Sequence, residues 1–366
     1  MATTLLGPLL PLLAARWALS DAQAGALFTA QFAGQLTSTT LSTLLTARLG
    51  ERRTLALGFV LVAVGVAAVG VVPSSLRWPA IVTYGLGLGC VLPVTNILIA
   101  ALAPTRAASA LSLVNVSWGA GAMAWPLVVG TLAGVHPAGA TTMLAAAALV
   151  VGSTWAVRSS DERVSTRPPS SLEASAPATV PQRVVWTYGV LILLYVGSET
   201  AISGWVAAYA RRMATGQGAW AYAPTAFWTA QTAGRLLAPM LLRRLSEPRL
   251  LVSSLVAAVC AVLMLSTAAT SVTGVIGAAA LAGLGVAAIF PLLWAGVTRD
   301  VAPGRPAAVG PLFAAGGVGG AVLPWLVGVV STGYGLGTGL LVPLAALLVM
   351  LMVTVGHVPG RGRTVA

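Results

Sequence analysis

Residues Gly119–Gly130 read GAGAMAWPLVVG, and residues Gly317–Gly328 read GVGGAVLPWLVG. Gly119/Gly317, Gly121/Gly319, Pro126/Pro324 and Gly130/Gly328 keep one constant offset, and Pro93/Pro291 share it. A second pair, TAQFAGQL (Thr29–Leu36) and TAQTAGRL (Thr229–Leu236), repeats at nearly the same spacing. One match in Ala/Gly-rich sequence is weak, but three in register point to a duplicated chain. Duplication of oily halves is a mark of membrane carriers whose site lies between the repeats.

Hydropathy agrees. Hydrophobic residues make up 57% of the 366 positions and charged residues only 8%, against about 25% charged in soluble domains. So few charges cannot cover a water-facing surface. A bilayer core needs about 20 helical residues to cross it. Twelve such runs are predicted, at 1–16, 22–46, 54–73, 79–103, 108–134, 140–157, 185–208, 222–242, 250–269, 273–297, 307–331 and 336–356. The stretch Arg158–Arg183, RSSDERVSTRPPSSLEASAPATVPQR, is rich in Ser, Pro and charge and reads as a disordered linker. The expected fold is an all-α membrane protein of twelve transmembrane helices in two pseudo-symmetric six-helix bundles. The first bundle spans 1–157, a cytoplasmic linker 158–184, the second bundle 185–357 and a cytoplasmic tail 358–366. The first run is short before Arg16. Either helix 1 is short, or the chain starts inside the true first helix; the second reading is preferred.

All 20 basic residues are arginine, and the net charge is +12. In a soluble protein this would suggest nucleic acid. Here the arginines cluster between apolar runs, which is the bias that orients membrane proteins, so nucleic-acid binding is set aside. With both termini inside, the cytoplasmic segments hold Arg48, Arg52, Arg53, Arg106, Arg158, Arg163, Arg167, Arg183, Arg243, Arg244, Arg249, Arg299, Arg305, Arg361 and Arg363. The external loops hold Arg16, Arg77, Arg211 and Arg212. Fifteen against four predicts both termini in the cytoplasm, and a cytoplasmic (inner) membrane is the expected location. Cys90 and Cys260 read as small buried hydrophobes. There is no HExxH, no Cys/His cluster and no lysine. No metal, cofactor or catalytic residue is expected, and an enzyme is disfavoured.

The interior polar residues are few. Glu199 is the only acid inside a run, roughly 22 Å from that helix's cytoplasmic end. At such depth a carboxylate must face water, pair with a cation or take a proton; the plain alternative is a structural bond to a neighbouring helix. Arg235 is the only base inside a run. It is a candidate to bind an anion, to pair with Glu199, to snorkel to the surface or to make a gate contact; a pair would keep Glu199 ionised, which argues against its being the proton carrier. Gln31, Gln35, Ser38 and Ser42 form an uncharged stripe, and Gln231 and Arg235 mirror its first two members. These suit a cavity for hydroxyl-rich or zwitterionic solutes, or simple interhelical bonding. Asn96, Asn115, Trp118, Trp205, Trp228 and Trp294 complete the candidate cavity, with packing as the plain reading of each tryptophan. Trp17, Trp78, Trp155 and Trp186 lie near run ends and read as interfacial anchors.

LLTARLGERR (Leu44–Arg53) resembles the loop signature of the major facilitator superfamily between helices 2 and 3, usually written G-x-L-a-D-R-x-G-R-R. Leu45, Arg48, Gly50, Arg52 and Arg53 match it; Thr43 and Ala47 replace its leading glycine and its acid. RLSEPR (Arg244–Arg249) looks like a degenerate second copy. GLGLGCVLP (Gly85–Pro93), NVSWGAG (Asn115–Gly121) and LYVGSE (Leu194–Glu199) are similar to the fucose and glucose/galactose permease branch. The resemblance covers essentially the whole chain. It implies a cytoplasmic gate loop at Arg48, Gly50, Arg52 and Arg53, and a sugar-like solute moved with protons. That branch has acids in helices 1 and 4, where this helix 4 offers Asn96.

The expected activity is therefore secondary active transport of a small solute by a monomer in the bilayer, with protons as the coupling ion and Glu199 and Arg235 as the coupling pair. A proton-driven exporter of amphipathic compounds stays open. So does a non-transporting sensor or scaffold, which usually needs an output domain.

Overall fold

The computed structural model describes residues 2–102, 107–132, 137–158, 180–213, 218–267, 269–301 and 308–357. Residues 159–179 of the expected linker, the tail and His136 lie outside them, while Arg158 ends α6 and Gln182 opens α7. The described chain is helical throughout: α1 (Leu6–Arg16), α2 (Asp21–Leu49), α3 (Glu51–Val71), α4 (Arg77–Leu102), α5 (Ala107–Leu132), α6 (Pro137–Arg158), α7 (Gln182–Met213), α8 (Tyr222–Leu241), α9 (Glu247–Thr267), α10 (Val272–Val286), α11 (Ile289–Asp300), α12 (Val309–Tyr334), α13 (Leu336–Gly339) and α14 (Leu341–His357). Each predicted run holds one helix; two of the runs hold a helix in two pieces, α10 with α11 and α13 with α14. Among the described residues, eight spans are long and apolar enough to cross a membrane. α2 and α8 are not among them, because their Thr, Ser, Gln and Arg residues dilute the apolar content.

Helix ends follow local chemistry. Ser20 caps α2: its hydroxyl accepts from the Gln23 N–H, and the Gln23 side chain accepts from the Ser20 N–H, a reciprocal capping box. Gly50 closes α2 and opens α3 at φ 80°, a conformation side chains resist. The glycine of the loop signature thus turns the chain directly from one helix into the next.

The duplication seen in sequence recurs as packing. On α4, a Cβ at Gly85 would lie 2.1 Å from the Gln31 carbonyl of α2, and one at Gly87 would lie 2.4 Å from the Val62 nitrogen of α3. On α10, a Cβ at Gly283 would lie 2.1 Å from the Phe227 carbonyl of α8, and one at Gly285 would lie 2.6 Å from the Ala258 nitrogen of α9. One glycine pair therefore lets one helix touch two neighbours in each half, the close approach that small residues permit in membranes. Overpacking this contact costs about 1–3 kcal/mol. Gly85→Ala should accordingly lower the melting temperature in detergent by several degrees. Gly277→Ala, where an added Cβ meets nothing within 4 Å, should leave it unchanged or raise it.

The halves meet through the quoted stretches. Gly328 of α12 abuts the Asp21 carbonyl of α2, Gly320 abuts Phe32 and Gly317 abuts Leu36. Gly130 of α5 abuts Ala221 just before α8, and Gly119 faces Thr232. Beyond Leu36 and Thr232, toward the end that carries Gly50, Leu41, Leu44, Leu113, Val116, Leu236, Leu237, Met240 and Phe313 are all exposed. Among the described residues the contacts between halves thus gather at the opposite end. Elsewhere α3, α6, α9 and α14 show bare apolar side chains, such as Val64, Val150, Leu263 and Met352, as a lipid-facing layer does. Two expectations change. Cys260 is exposed rather than buried, because it sits on the outer side of α9. Trp17 is buried, with its indole N–H directed at the Val72 carbonyl at 3.3 Å, so it packs instead of anchoring at an interface.

Candidate functional site

Glu199 sits at the middle of α7, with Tyr195 one turn before it and Ser203 one turn after. All three share one face, as i, i+4 residues do. Three donors converge on one oxygen of the carboxylate. The Tyr195 hydroxyl donates to Oε1 at 2.7 Å, Arg235 Nη2 donates at 3.3 Å, and the Gln231 amide donates as well. Among the described residues no donor reaches Oε2. The Glu199 side chain is 16% exposed and that of Arg235 is 32% exposed. A carboxylate this deep persists through its cation and its hydrogen bonds. Of the readings left open for Arg235, the structure shows the pair with Glu199.

Glu199 borders a cavity of about 160 Å³ lined by Thr3, Phe28, Gln31, Phe32, Trp118, Thr200, Ser203 and Trp228, among others. α2 and α5 contribute from the first half, α7 and α8 from the second. The Trp118 indole donates to Thr3 Oγ1 at 2.6 Å. The Arg235 guanidinium lies 5.6 Å from the centre of its ring, within cation–π range. Trp228 meets Trp118 edge-on at 5.2 Å and Phe227 edge-on at 5.0 Å. Gln31 is only 4% exposed, lines the cavity and has no protein partner for its side chain among the described residues. Gln231 is fully buried, and its Oε1 also lacks a partner. Buried polar atoms without partners are rare in native folds; Gln231 Oε1 is one, beside Glu199, while Gln31 turns to a cavity that offers donors, acceptors and ring faces.

The other sequence candidates fall elsewhere. Gln35 is half-buried one turn from Gln31 and does not line the cavity. Asn96 and Asn115 are exposed. Trp205 is buried and donates to the Pro324 carbonyl at 2.9 Å, bracing α7 on α12. Trp294 stacks between Phe290 at 5.9 Å and Phe313 at 4.2 Å, toward the open end. Sequence reading missed Tyr195, Thr3, Thr200, Phe28 and Phe32. Tyr195 was findable, since it stands one helical turn from Glu199.

A second cavity, of about 230 Å³, lies between α1, α2 and α7 and touches Asp21, Trp205, Arg211 and Arg212. Asp21 binds Arg212 and accepts from the Ser331 hydroxyl, and the Ala22 N–H donates to Thr332 at 3.0 Å. These bonds tie α2 to α7 and α12. At the opposite end, Arg299 pairs with Glu247 at 2.7 Å and with Asp300 at 3.0 Å. Glu247 belongs to the degenerate RLSEPR copy, which therefore holds a clasp inside the second half. Of the first copy, Arg48 and Arg53 are exposed and Arg52 half-buried.

A helical, lipid-facing chain with a polar, ring-lined cavity between its halves has the architecture of a solute carrier. The sequence model of the Major Facilitator Superfamily matches residues 1–324, and the chain belongs to that superfamily. It is a multi-pass membrane transporter and not an enzyme. Its fold is shared with the nucleoside transporter NupG (14% identity, 96% of this chain and 93% of that chain, TM-score 0.75). It is also shared with a D-xylose-proton symporter (14%, 96% and 93%, 0.71) and with FucP in the outward conformation (19%, 97% and 94%, 0.61). No curated protein matches the sequence.

Proposed function

We propose that the protein moves a small, hydroxyl-rich solute of the sugar class across the cytoplasmic membrane, coupled to protons, by alternating access. The observation that carries this reading is Glu199, whose Oε1 is held by three donors while Oε2 has none among the described residues, at the wall of a cavity shared by both halves. Arg235 offsets the charge of Glu199, which favours a neutral hydroxyl over an ammonium as the donor to Oε2. Gln31, Thr200 and the rings of Trp118 and Trp228 add the polar groups and flat faces that a sugar-like ring uses. The nucleoside and xylose carriers of the same fold are named for hydroxylated solutes, which supports the class.

In this reading the moving bodies are two six-helix bundles, 1–157 and 185–357, joined by the 158–184 linker. The arginine bias places both termini and the Gly50 end in the cytoplasm, so the conformation described is open inward and closed outward. Arg48, Gly50, Arg52 and Arg53 form the cytoplasmic gate loop, and the transporter acts as a monomer. A second reading, export of amphipathic compounds, is favoured by the four aromatic rings at the cavity, Phe28, Phe32, Trp118 and Trp228.

Ligand-induced stabilisation separates the two. A ligand at 100 times its dissociation constant adds about 2.7 kcal/mol to apparent stability. Pentoses, hexoses or nucleosides should raise the melting temperature of the purified protein by several degrees, and amphipathic cations should not. The opposite ranking would replace uptake of a hydroxylated solute with export.

A further inference from the structure

α10 stops at Val286 and α11 starts at Ile289. The interruption has a local cause: Pro291 has no N–H to offer the Ala287 carbonyl, and its ring crowds the preceding turn. Ala287 closes a tight turn on the Leu284 carbonyl at 3.3 Å. At the break the Val286 carbonyl lies 3.3 Å from the Tyr195 hydroxyl. That hydroxyl also lies 2.7 Å from Glu199 Oε1. A phenol has one proton to donate, so it cannot serve both acceptors at once. The Tyr195 ring stacks on Phe290 at 5.5 Å, and Phe290 on Trp294 at 5.9 Å. The ring stack thus runs from Tyr195 along α11 toward the Gly50 end.

We propose that Tyr195 is a positioning residue that ties the protonation of Glu199 to the break between α10 and α11. The proposal rests on Glu199 taking the proton. When Glu199 is a carboxylate, the hydroxyl donates to it, because a bond to an ionised acceptor is roughly twice as strong as a neutral one. When Glu199 accepts a proton from water, Oε1 becomes a weaker acceptor and the hydroxyl turns to the Val286 carbonyl. That caps the buried end of α10 and holds the break open. The titratable or charged groups facing Glu199 among the described residues are Tyr195 on its own helix and Arg235 on α8. α5, α10 and the stretch of α12 against α7 contribute none, and the nearest charges of α11 are Arg299 and Asp300 at its far end, engaged with Glu247 and Tyr188. Arg235 stays charged throughout, so Glu199 is the group that changes.

The test measures the spacing between spin labels at Leu41→Cys on α2 and Thr298→Cys on α11, with Cys90 and Cys260 replaced by alanine, in acidic and alkaline liposomes. The parent is expected to change spacing with pH, and Glu199→Gln to hold the acidic spacing at both. Tyr195→Phe keeps the ring stack and loses the hydroxyl, so it should hold one spacing at both. Pro291→Ala, which lets the helix run through, should do the same with Tyr195 intact. It guards against a folding defect in the phenylalanine variant. If Tyr195→Phe or Pro291→Ala shifts as the parent does, the coupling through Tyr195 is wrong while Glu199 as the protonation site stands. If the parent shows no shift, both ideas fall.

Discussion

Glu199→Gln should abolish uphill uptake driven by a pH gradient in proteoliposomes, while exchange of solute across the membrane persists within about tenfold, because binding without net charge movement does not need the proton. The substitution keeps the shape of the side chain and an oxygen for the Tyr195 hydroxyl. It removes the charge that Arg235 faces at 3.3 Å. Breaking a buried pair by removing one partner costs about 3–5 kcal/mol. The Arg235 side chain is 32% exposed, so about 1–3 kcal/mol is the better expectation here. The double variant Glu199→Gln/Arg235→Gln should regain that stability without regaining accumulation. This pattern separates a coupling role from a structural one, since a purely structural pair would recover both. Undiminished accumulation by Glu199→Gln would remove the carboxylate from the coupling scheme.

The second large effect lies at the other end of the molecule. Among the described residues the ion pair that crosses between halves is Asp21 with Arg212, which Ser331 joins. At the Gly50 end the Arg299 pairs stay within the second half. In the proposed cycle this tilts the energy balance toward the outward-closed form. Asp21→Asn removes the charge that Arg212 pairs with, the negative group at the start of α2, where the helix dipole favours it. With Asp21 16% exposed and Arg212 45% exposed, solvent screens part of the pair, and about 1–2 kcal/mol remains as a working figure. That corresponds to roughly a 5- to 30-fold shift toward the outward-open form. A cysteine at Ala24, which lines the second cavity, should then react with a membrane-impermeant thiol reagent about tenfold faster from outside. An unchanged rate would show that this latch does not set the resting conformation.

The helices were legible because their signal is local. Composition and length sufficed for the runs, and the repeat in Gly119–Gly130 and Gly317–Gly328 pointed to the surfaces that join the halves. The glycine pairs Gly85/Gly87 and Gly283/Gly285 keep the same offset, yet their meaning emerges only when α2, α3, α8 and α9 are seen against them. Of the site, Glu199, Arg235, Gln31, Gln231, Trp118 and Trp228 were visible as interior polar or aromatic residues. Which of them meet was not, because the angular position of one helix against another is set by packing and leaves no mark at any single residue. Asn96 and Asn115 show the limit: an amide inside an oily run looks alike whether it lines the enclosed cavity or, as here, is exposed. Asp21 escaped notice because it stands at a helix start in a loop, where acids are common, and its partners Arg212 and Ser331 are remote in sequence.

The modest apolarity of α2 and α8 bears on how the chain is made. A segment carrying several amides, hydroxyls and an arginine partitions poorly into lipid by itself, and the translocon meets each segment before the cavity exists. α2 is followed immediately by the oily α3 across Gly50, and α8 is followed by α9 after a short turn. Each weak span thus has a strong one arriving seconds behind it. Biogenesis is expected to proceed by pairwise hairpin insertion, so the polar spans that line the cavity are lodged in the membrane by the plain Ala/Val/Leu helices that follow them.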